Sequence, residues 1–175
     1  LNILFAGRLA NSLPIAKALK DTTIIDLEII EPASADGLWD LLLLADPSRQ
    51  MVESYLADGR LFSASWDGVI VGVFVLVPAD ETLWELKNIA VSEEWQGKGV
   101  GRALLASAID KARDLGAEKL EVGTGNSSID QIAFYQKAGF RMTRVAKNYF
   151  TLNYDEPIYE NGIQCRDMLI FTLEL

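Results

Sequence analysis

Between Gly101 and Leu115, the apolar residues Leu104, Leu105, Ala108, Ile109, Ala112 and Leu115 recur at the three- and four-residue spacing of one helical face, and Gly116 supplies the stop. Upstream the rhythm differs. Leu61 to Trp66 and Val69 to Val77 are β-rich runs joined by Asp67-Gly68, a hairpin signal, and Pro78 ends the second. Thr82 to Val91 reads as a third strand. Two helical stretches precede this block, Asp36 to Ala45 with its leucine cluster and Ser48 to Ala57, stopped near Gly59. The β-branched, apolar stretch 23–31 is a strand candidate, and 1–22 read as an appendage with a short helical piece from Pro14 to Lys20. Past Gly116 the pattern predicts a strand at Lys119–Gly123, a helix at Ile129–Ala138 closed by Gly139, a strand at Phe140–Phe150 and a last one at Cys165–Leu175. The expected organisation is one domain over 23–175 with a mixed α/β sheet, without the strict alternation of a doubly wound nucleotide fold.

Composition narrows the chemistry more than the fold. The 175 residues include no histidine and one cysteine, Cys165. That excludes Ser-His-Asp and Cys-His catalysis, histidine-based and cysteine-rich metal sites and an internal disulfide framework, so no metal is expected. Proton transfer falls to carboxylates, tyrosine, lysine, water or substrate. The net charge of -9 argues against nucleic acid or an anionic membrane as partner. From Lys98 to Lys147, however, nine basic residues face five acidic ones, an island suited to an anionic cofactor or a chance clustering on solvated faces. No apolar run approaches the roughly 18 residues needed to span a bilayer. The run Leu1 to Gly7 is short and lacks a preceding basic flank, Leu1 in place of a Met points to a trimmed or engineered start, and the cytoplasm is the expected compartment.

Three segments carry candidate chemistry. Gln96-Gly97-Lys98-Gly99-Val100-Gly101-Arg102 lies between the strand ending at Val91 and the helix opening near Gly101. Its glycines let several N–H groups turn into one concavity, with the positive end of the helix dipole behind it and Lys98 and Arg102 beside it. That is a pyrophosphate cradle without Walker or Rossmann spacing, or else a tight turn whose glycines ease packing. Glu121-Val122-Gly123-Thr124-Gly125-Asn126 mimics the first motif of S-adenosylmethionine methyltransferases, but too little chain follows for that sheet. In Ile129–Phe140, Phe134, Ala138 and Phe140 point inward, and Tyr135 offers a phenol that either leans toward the cradle or sits half-buried in the core.

Together these segments resemble the GCN5-related N-acetyltransferase (GNAT) superfamily from about Thr23 onward. The resemblance rests on the Q-x-x-G-x-G signature at Gln96, Gly99 and Gly101 after the strand Asn88–Val91, and on Y-x-K-x-G-F at Tyr135, Lys137, Gly139 and Phe140. The tail from Asn161 to Arg166 is similar to a bacterial subgroup of aminoglycoside-type or uncharacterised acetyltransferases. The resemblance implies a central, mostly antiparallel mixed sheet, flanked by helices and splayed open for acetyl-CoA between the strands at Leu83–Val91 and Lys119–Gly123. It implies an acetyl-CoA arm paired with the backbone of Ile89, Ala90 and Val91, and a pyrophosphate held by the amides of Gly97, Lys98, Gly99, Val100, Gly101 and Arg102. A backbone N–H near Ile89–Val91 would polarise the thioester, and Tyr135 would protonate the departing thiolate. Gln96 and Lys137 belong to the cofactor-binding motifs. Where the family carries an asparagine seven residues before the tyrosine, this chain has Ser128 and, nearby, Asn126; both are candidates.

Glu85, counted back from Ser92, matches the carboxylate that some relatives use as base through water; the alternative is a strand carboxylate paired with Lys87 on the same face, with Asp80 and Glu81 as substitutes. Acceptors in this family lie by the paired helices and the loop before the last strand, here 37–60 and 151–164. Acids and aromatics alternate there: Trp39, Asp40, Asp46, Glu53 and Tyr55, then Tyr154, Asp155, Glu156, Tyr159 and Glu160. They suit a cationic amine or form a solvated face. Small-molecule amines and protein amines both remain open as acceptors. Trp66, Trp84 and Cys165 are expected in the core. The rival from another class is a non-catalytic acyl-CoA-binding module, with a methyltransferase more remote. The apolar strand Met168–Leu175 would either pair at a sheet edge in a homodimer or tuck into its own sheet as a monomer.

Overall fold

The structure, a computed structural model, describes residues 25–175. The expected appendage 1–22, its helical piece at Pro14–Lys20 and the start of the first strand lie outside the described residues. β1 is Glu28–Ile30. Gly37 takes a left-handed turn (φ 76°), so α1 begins at Trp39 rather than Asp36 and runs to Ala45. Ser48 caps α2 (Arg49–Leu56), its hydroxyl accepting from the Met51 amide at 3.3 Å.

β2 (Arg60–Trp66) and β3 (Val69–Pro78) meet at Asp67 and Gly68, both at positive φ, the pairing that a two-residue hairpin of this twist demands. β4 is Leu83–Val91, followed by a single 3-10 turn. α3 spans Val100–Asp114, β5 Lys119–Gly125 and α4 Ile129–Lys137, closed by Gly139 at φ 95°.

Two of the expected strands have other bounds. The run Phe140–Phe150 is not one strand: β6 (Arg141–Ala146) stops at Ala146, Asn148 turns left-handed, and α5 occupies Tyr149–Asn153. The last strand does not begin at Cys165 either. Cys165 ends β8 (Ile163–Cys165), paired with β7 (Ile158–Glu160) across Asn161-Gly162, and β9 (Met168–Glu174) begins at Met168. The break arises because the amides of Arg166 and Asp167 both turn to Asn126 Oδ1, at 2.7 and 2.9 Å.

The main sheet runs β1-β2-β3-β4-β5-β9-β6. Every pairing among these described strands is antiparallel except β4 with β5, which is parallel and limited to Leu83–Glu85 against Lys119–Glu121. Beyond Glu85 and Glu121 the two strands diverge while each stays paired on its outer side. β9 lies between β5 and β6, so the terminal strand is interior and the edge pairing imagined for a homodimer does not exist there. α3 and α4 cover one face, packing on Leu86, Ile89, Leu120, Val122 and Phe171. α1 and α2 cover the other over β3 and β4, packing on Val73, Val75 and Ala90. A third cluster, Phe150, Cys165, Met168 and Ile170, extends that second face under α5. Trp66 and Trp84 pack half-buried against the main core, and Cys165 is buried.

Candidate active site

The divergence of β4 from β5 leaves the inner edges of two strands facing each other across a wedge at the centre of the sheet. A bulge sharpens it. Leu86 pairs with Leu76 and Asn88 with Val75, so Lys87 is the extra residue on β4. The bulge keeps Leu86, Ile89 and Val91 on the α3 face while Lys87, Asn88 and Ala90 turn toward the α1 face.

On the α3 side of the wedge lies the glycine loop. Gly97 and Gly99 have φ of 72° and 90°, and a side chain at Gly97 would meet nothing, so conformation rather than space calls for these glycines. Gly99 caps α3, and its carbonyl receives the amides of Arg102 and Ala103 at 3.1 and 3.2 Å. The amides before them, from Gly97 to Gly101, head a 15-residue helix, the place where an anion is stabilised. Lys98 sits at the loop with its ammonium 5.0 Å from the Trp95 ring centroid, and Arg102 is exposed. Gln96 has a bracing part: its Nε2 donates to the Val91 carbonyl at 3.0 Å, tying the loop to the strand end.

The Thr124 hydroxyl, 1% exposed and without a partner among the described residues, shares its strand face with Leu120 and Val122. An orphaned hydroxyl beside the wedge and an amide cradle at its mouth together fit an elongated ligand carrying a phosphate group and a polar arm. Tyr135 is 2% exposed, stacked edge-on with Phe134 and Phe140, and burial pushes its phenol far above the ordinary range. Lys137 is exposed in the last turn of α4. Cys165, also raised by burial, is inert core.

Asn126 and Ser128 are both committed elsewhere. Asn126 Nδ2 donates to the Gln164 carbonyl at 3.1 Å, and its Oδ1 takes the two amides that break the last strand. Ser128 is 1% exposed and donates to Glu160 Oε2, which Ser127 also reaches at 3.1 Å. These side chains fasten the β7–β8 hairpin to the end of β5. Gly123 and Gly125 belong to that strand rather than to a loop; a Cβ would strike Met168 Sδ at the first and Cys165 Sγ at the second.

On the opposite face a half-open cavity of about 180 Å³ is lined by Glu85, Lys87, Glu121, Arg144 and Tyr149 with the floor of β9. Glu85 and Lys87 form an ion pair at 3.0 Å, and Arg144 pairs with Glu121. Asp80 is not placed for chemistry: its Oδ1 accepts the Thr82 and Leu83 amides at 2.9 and 2.7 Å, which holds its carboxyl below the usual range. Glu81 is exposed. Asn88, Tyr149 and Thr124 belong to no motif in the sequence, though a polar residue inside an apolar strand, as in Asn88 before Ile89–Val91, is itself a signal.

The family model described as "Acetyltransferase (GNAT) family" matches residues 31–140. The chain belongs to the GNAT family. It is 49% identical over 140 residues to an N-acetyltransferase of Bacillus subtilis (strain 168), YvbK, described as uncharacterized; the match covers 80% of this chain and 90% of that protein. Among solved GNAT structures, a GNAT family acetyltransferase from Elizabethkingia anophelis with acetyl-CoA bound is 47% identical with a TM-score of 0.82, over 85% of this chain and 98% of that one. An acetyltransferase from Bacillus subtilis in complex with CoA is 48% identical with a TM-score of 0.79, over 85% and 97%. The splayed mixed sheet is thus the GNAT fold. No helix among the described residues is long and apolar enough to cross a membrane.

Proposed function

We propose that this protein transfers the acetyl group of acetyl-CoA to a primary amine by direct attack in a ternary complex. The observation that carries the reading is the wedge between β4 and β5, which has the glycine-loop cradle on one face and a polar cavity on the other. Two substrates can approach the same point from opposite sides, as a direct transfer requires. The Elizabethkingia relative with bound acetyl-CoA supports the choice of cosubstrate.

The backbone of Gly97 to Arg102 would hold the pyrophosphate, and the inner edge of Ile89, Ala90 and Val91 the arm, with the free Thr124 hydroxyl beside it. Acetyl-CoA supplies an acetyl thioester, whose carbon gains a bond to the amine nitrogen as the bond to sulfur breaks. An inner-edge amide of β4 receives the developing negative charge on the carbonyl oxygen. Glu85, on the cavity side and steadied by Lys87, takes the proton that the amine must lose, through water. Tyr135, kept protonated by burial, gives its proton to the leaving sulfur.

The test is calorimetric titration of the full chain with acetyl-CoA and, as a control, with S-adenosylmethionine, followed by an amine screen for release of CoA thiol. Binding of acetyl-CoA alone, with Kd about micromolar, and amine-dependent thiol release are expected. Absence of acetyl-CoA binding would reduce the cradle to turn chemistry. Binding without turnover on any amine would favour the non-catalytic module.

A further inference from the structure

A second polar cluster lies where α1 meets α2, on the same face as the cavity but deeper. Asp46 closes α1 and is fully buried (0% exposed), and Asn88 on β4 is 1% exposed. Both hang on one carbonyl: Leu42 O receives the Asp46 amide at 3.2 Å and Asn88 Nδ2 at 3.0 Å. Asn88 Nδ2 also donates to the Tyr55 hydroxyl at 2.8 Å, which fixes its amide orientation, since the Leu42 oxygen requires a donor.

The local architecture accounts for one half of each side chain. Asp46 Oδ1 accepts the Ser48 amide at 3.1 Å, starting α2, and the Tyr154 hydroxyl at 3.4 Å. Asp46 Oδ2 and Asn88 Oδ1 are left buried without a donor among the described residues. A buried acceptor without a donor loses its hydration with nothing in return, a carboxylate oxygen most of all, so one carboxylate and one amide oxygen left so on adjoining side chains need an explanation. What they lack in common is a donor, and the carboxylate adds a preference for positive charge. Two phenols touch the pair, Tyr55 through Asn88 and Tyr154 through Asp46, and a third, Tyr149, lies near enough to feel the carboxylate. Tyr55, Tyr149 and Tyr154 all feel the Asp46 charge and all resist ionisation, chiefly through burial, so they offer neutral aromatic walls. Tyr149 also lines the cavity beside Glu85 and Lys87, which places the cluster next to the transfer site.

Resting on the acetyltransferase reading, we propose that Asp46 Oδ2 and Asn88 Oδ1 bind a protonated primary amine of the acceptor, distinct from the nitrogen that is acetylated. An ammonium brings three donors and one positive charge, matching two orphaned acceptors, one of them charged, beside tyrosine rings. The nitrogen under attack must be neutral; the nitrogen held here stays charged. The acceptor class is therefore a molecule with at least two amines, one anchored at the α1–α2 junction and the other presented to the wedge.

The experiment is calorimetric titration of the full chain, with and without CoA, using α,ω-diamines from diaminopropane to diaminopentane and the monoamine of each length. Asp46→Asn and Tyr154→Phe are measured alongside, with thermal melts to report folding. At least one diamine is expected to bind about tenfold or more tighter than its monoamine. Asp46→Asn should collapse that ratio; Tyr154→Phe, which keeps the carboxylate and its orphaned oxygen, should keep most of it. Equal affinities, no diamine binding in either state, or a preference that survives Asp46→Asn would each overturn the proposal, leaving the two oxygens to a trapped water. Failure of CoA to bind would instead overturn the acetyltransferase reading, and the titrations without CoA would still judge the diamine site.

Discussion

At the residue scale, Tyr135 and Glu85 occupy opposite conditions on opposite faces of the wedge. Tyr135 is sealed among Phe134, Phe140 and Phe171, where ionisation of the phenol would place an unsolvated charge in the core. A group so placed stays protonated at neutral pH, so its proton is on hand as negative charge develops on a departing sulfur beside it. Tyr135→Phe is expected to lower turnover by about 10²-fold under conditions where chemistry limits the rate, with acetyl-CoA affinity little changed. A loss under a few-fold would end the acid assignment. Glu85 is part-exposed and ion-paired with Lys87, so a purely structural part as half of a surface pair is its rival. Glu85→Gln separates the two: a base predicts a fall in kcat that steepens toward low pH, whereas a surface pair predicts a small loss of stability and unchanged turnover. Resemblance to the family singled out both residues. It was blind to Asp46 and Asn88 as a pair, because they are 42 positions apart in sequence and meet only at the Leu42 carbonyl.

Among the elements, the decisive event is that β5 follows β4 for three residues and then leaves it, while staying paired with β9 along its whole length. Pairing through Gly125 to Met168 carries β5 away, and Asn126 secures the departure by holding the turn before β9. That turn in turn holds α5, since the Phe150 amide bonds the Arg166 carbonyl and the Asn148 amide bonds Asp167 Oδ1. Asn126→Ala leaves two backbone amides without their acceptor and is expected to destabilise the fold by about 2 kcal/mol, read as a lower denaturant midpoint. Acetyl-CoA affinity in the refolded variant should stay within about threefold of wild type; a larger loss would make Asn126 a direct contact of the cofactor arm. Helices and hairpins were legible from periodicity and from glycine or Asp-Gly punctuation. The α5 segment and the β7–β8 hairpin carry too little pattern to be legible in the same way. Tyr149–Asn153 has only five residues, too few to show a period, and Asn161-Gly162 is a turn signal that lay between runs too short to register as strands.

For the molecule as a whole, buried phenols set the alkaline limit. Tyr55, Tyr135, Tyr149 and Tyr154 all titrate above the ordinary phenol value in the folded state, from burial before any other cause. The folded protein keeps protons that the unfolded chain releases near pH 10, so this stability is complete below that pH and is lost as pH rises beyond it. Denaturation at a series of pH values should show ΔG falling above about pH 10, with Tyr135 alone contributing about 1.4 kcal/mol per pH unit. Tyr135→Phe should make that fall shallower by one proton, and an unchanged slope would contradict the burial. The sequence by itself determined the element types over most of the chain, the exclusion of histidine chemistry, the glycine loop before α3 and the family. These are local properties, written in spacing and in backbone preference. Tertiary structure alone decided that β9 enters between β5 and β6, that the cavity opens on the face opposite the glycine loop, and that Asn126 and Ser128 serve as fasteners. It alone brought Asp46 and Asn88, each with an orphaned oxygen, to the one Leu42 carbonyl, with Tyr55 and Tyr154 bonded to them. Each of these depends on which distant residues share a carbonyl or a strand edge, and long-range pairing leaves no period in the chain from which it could be read.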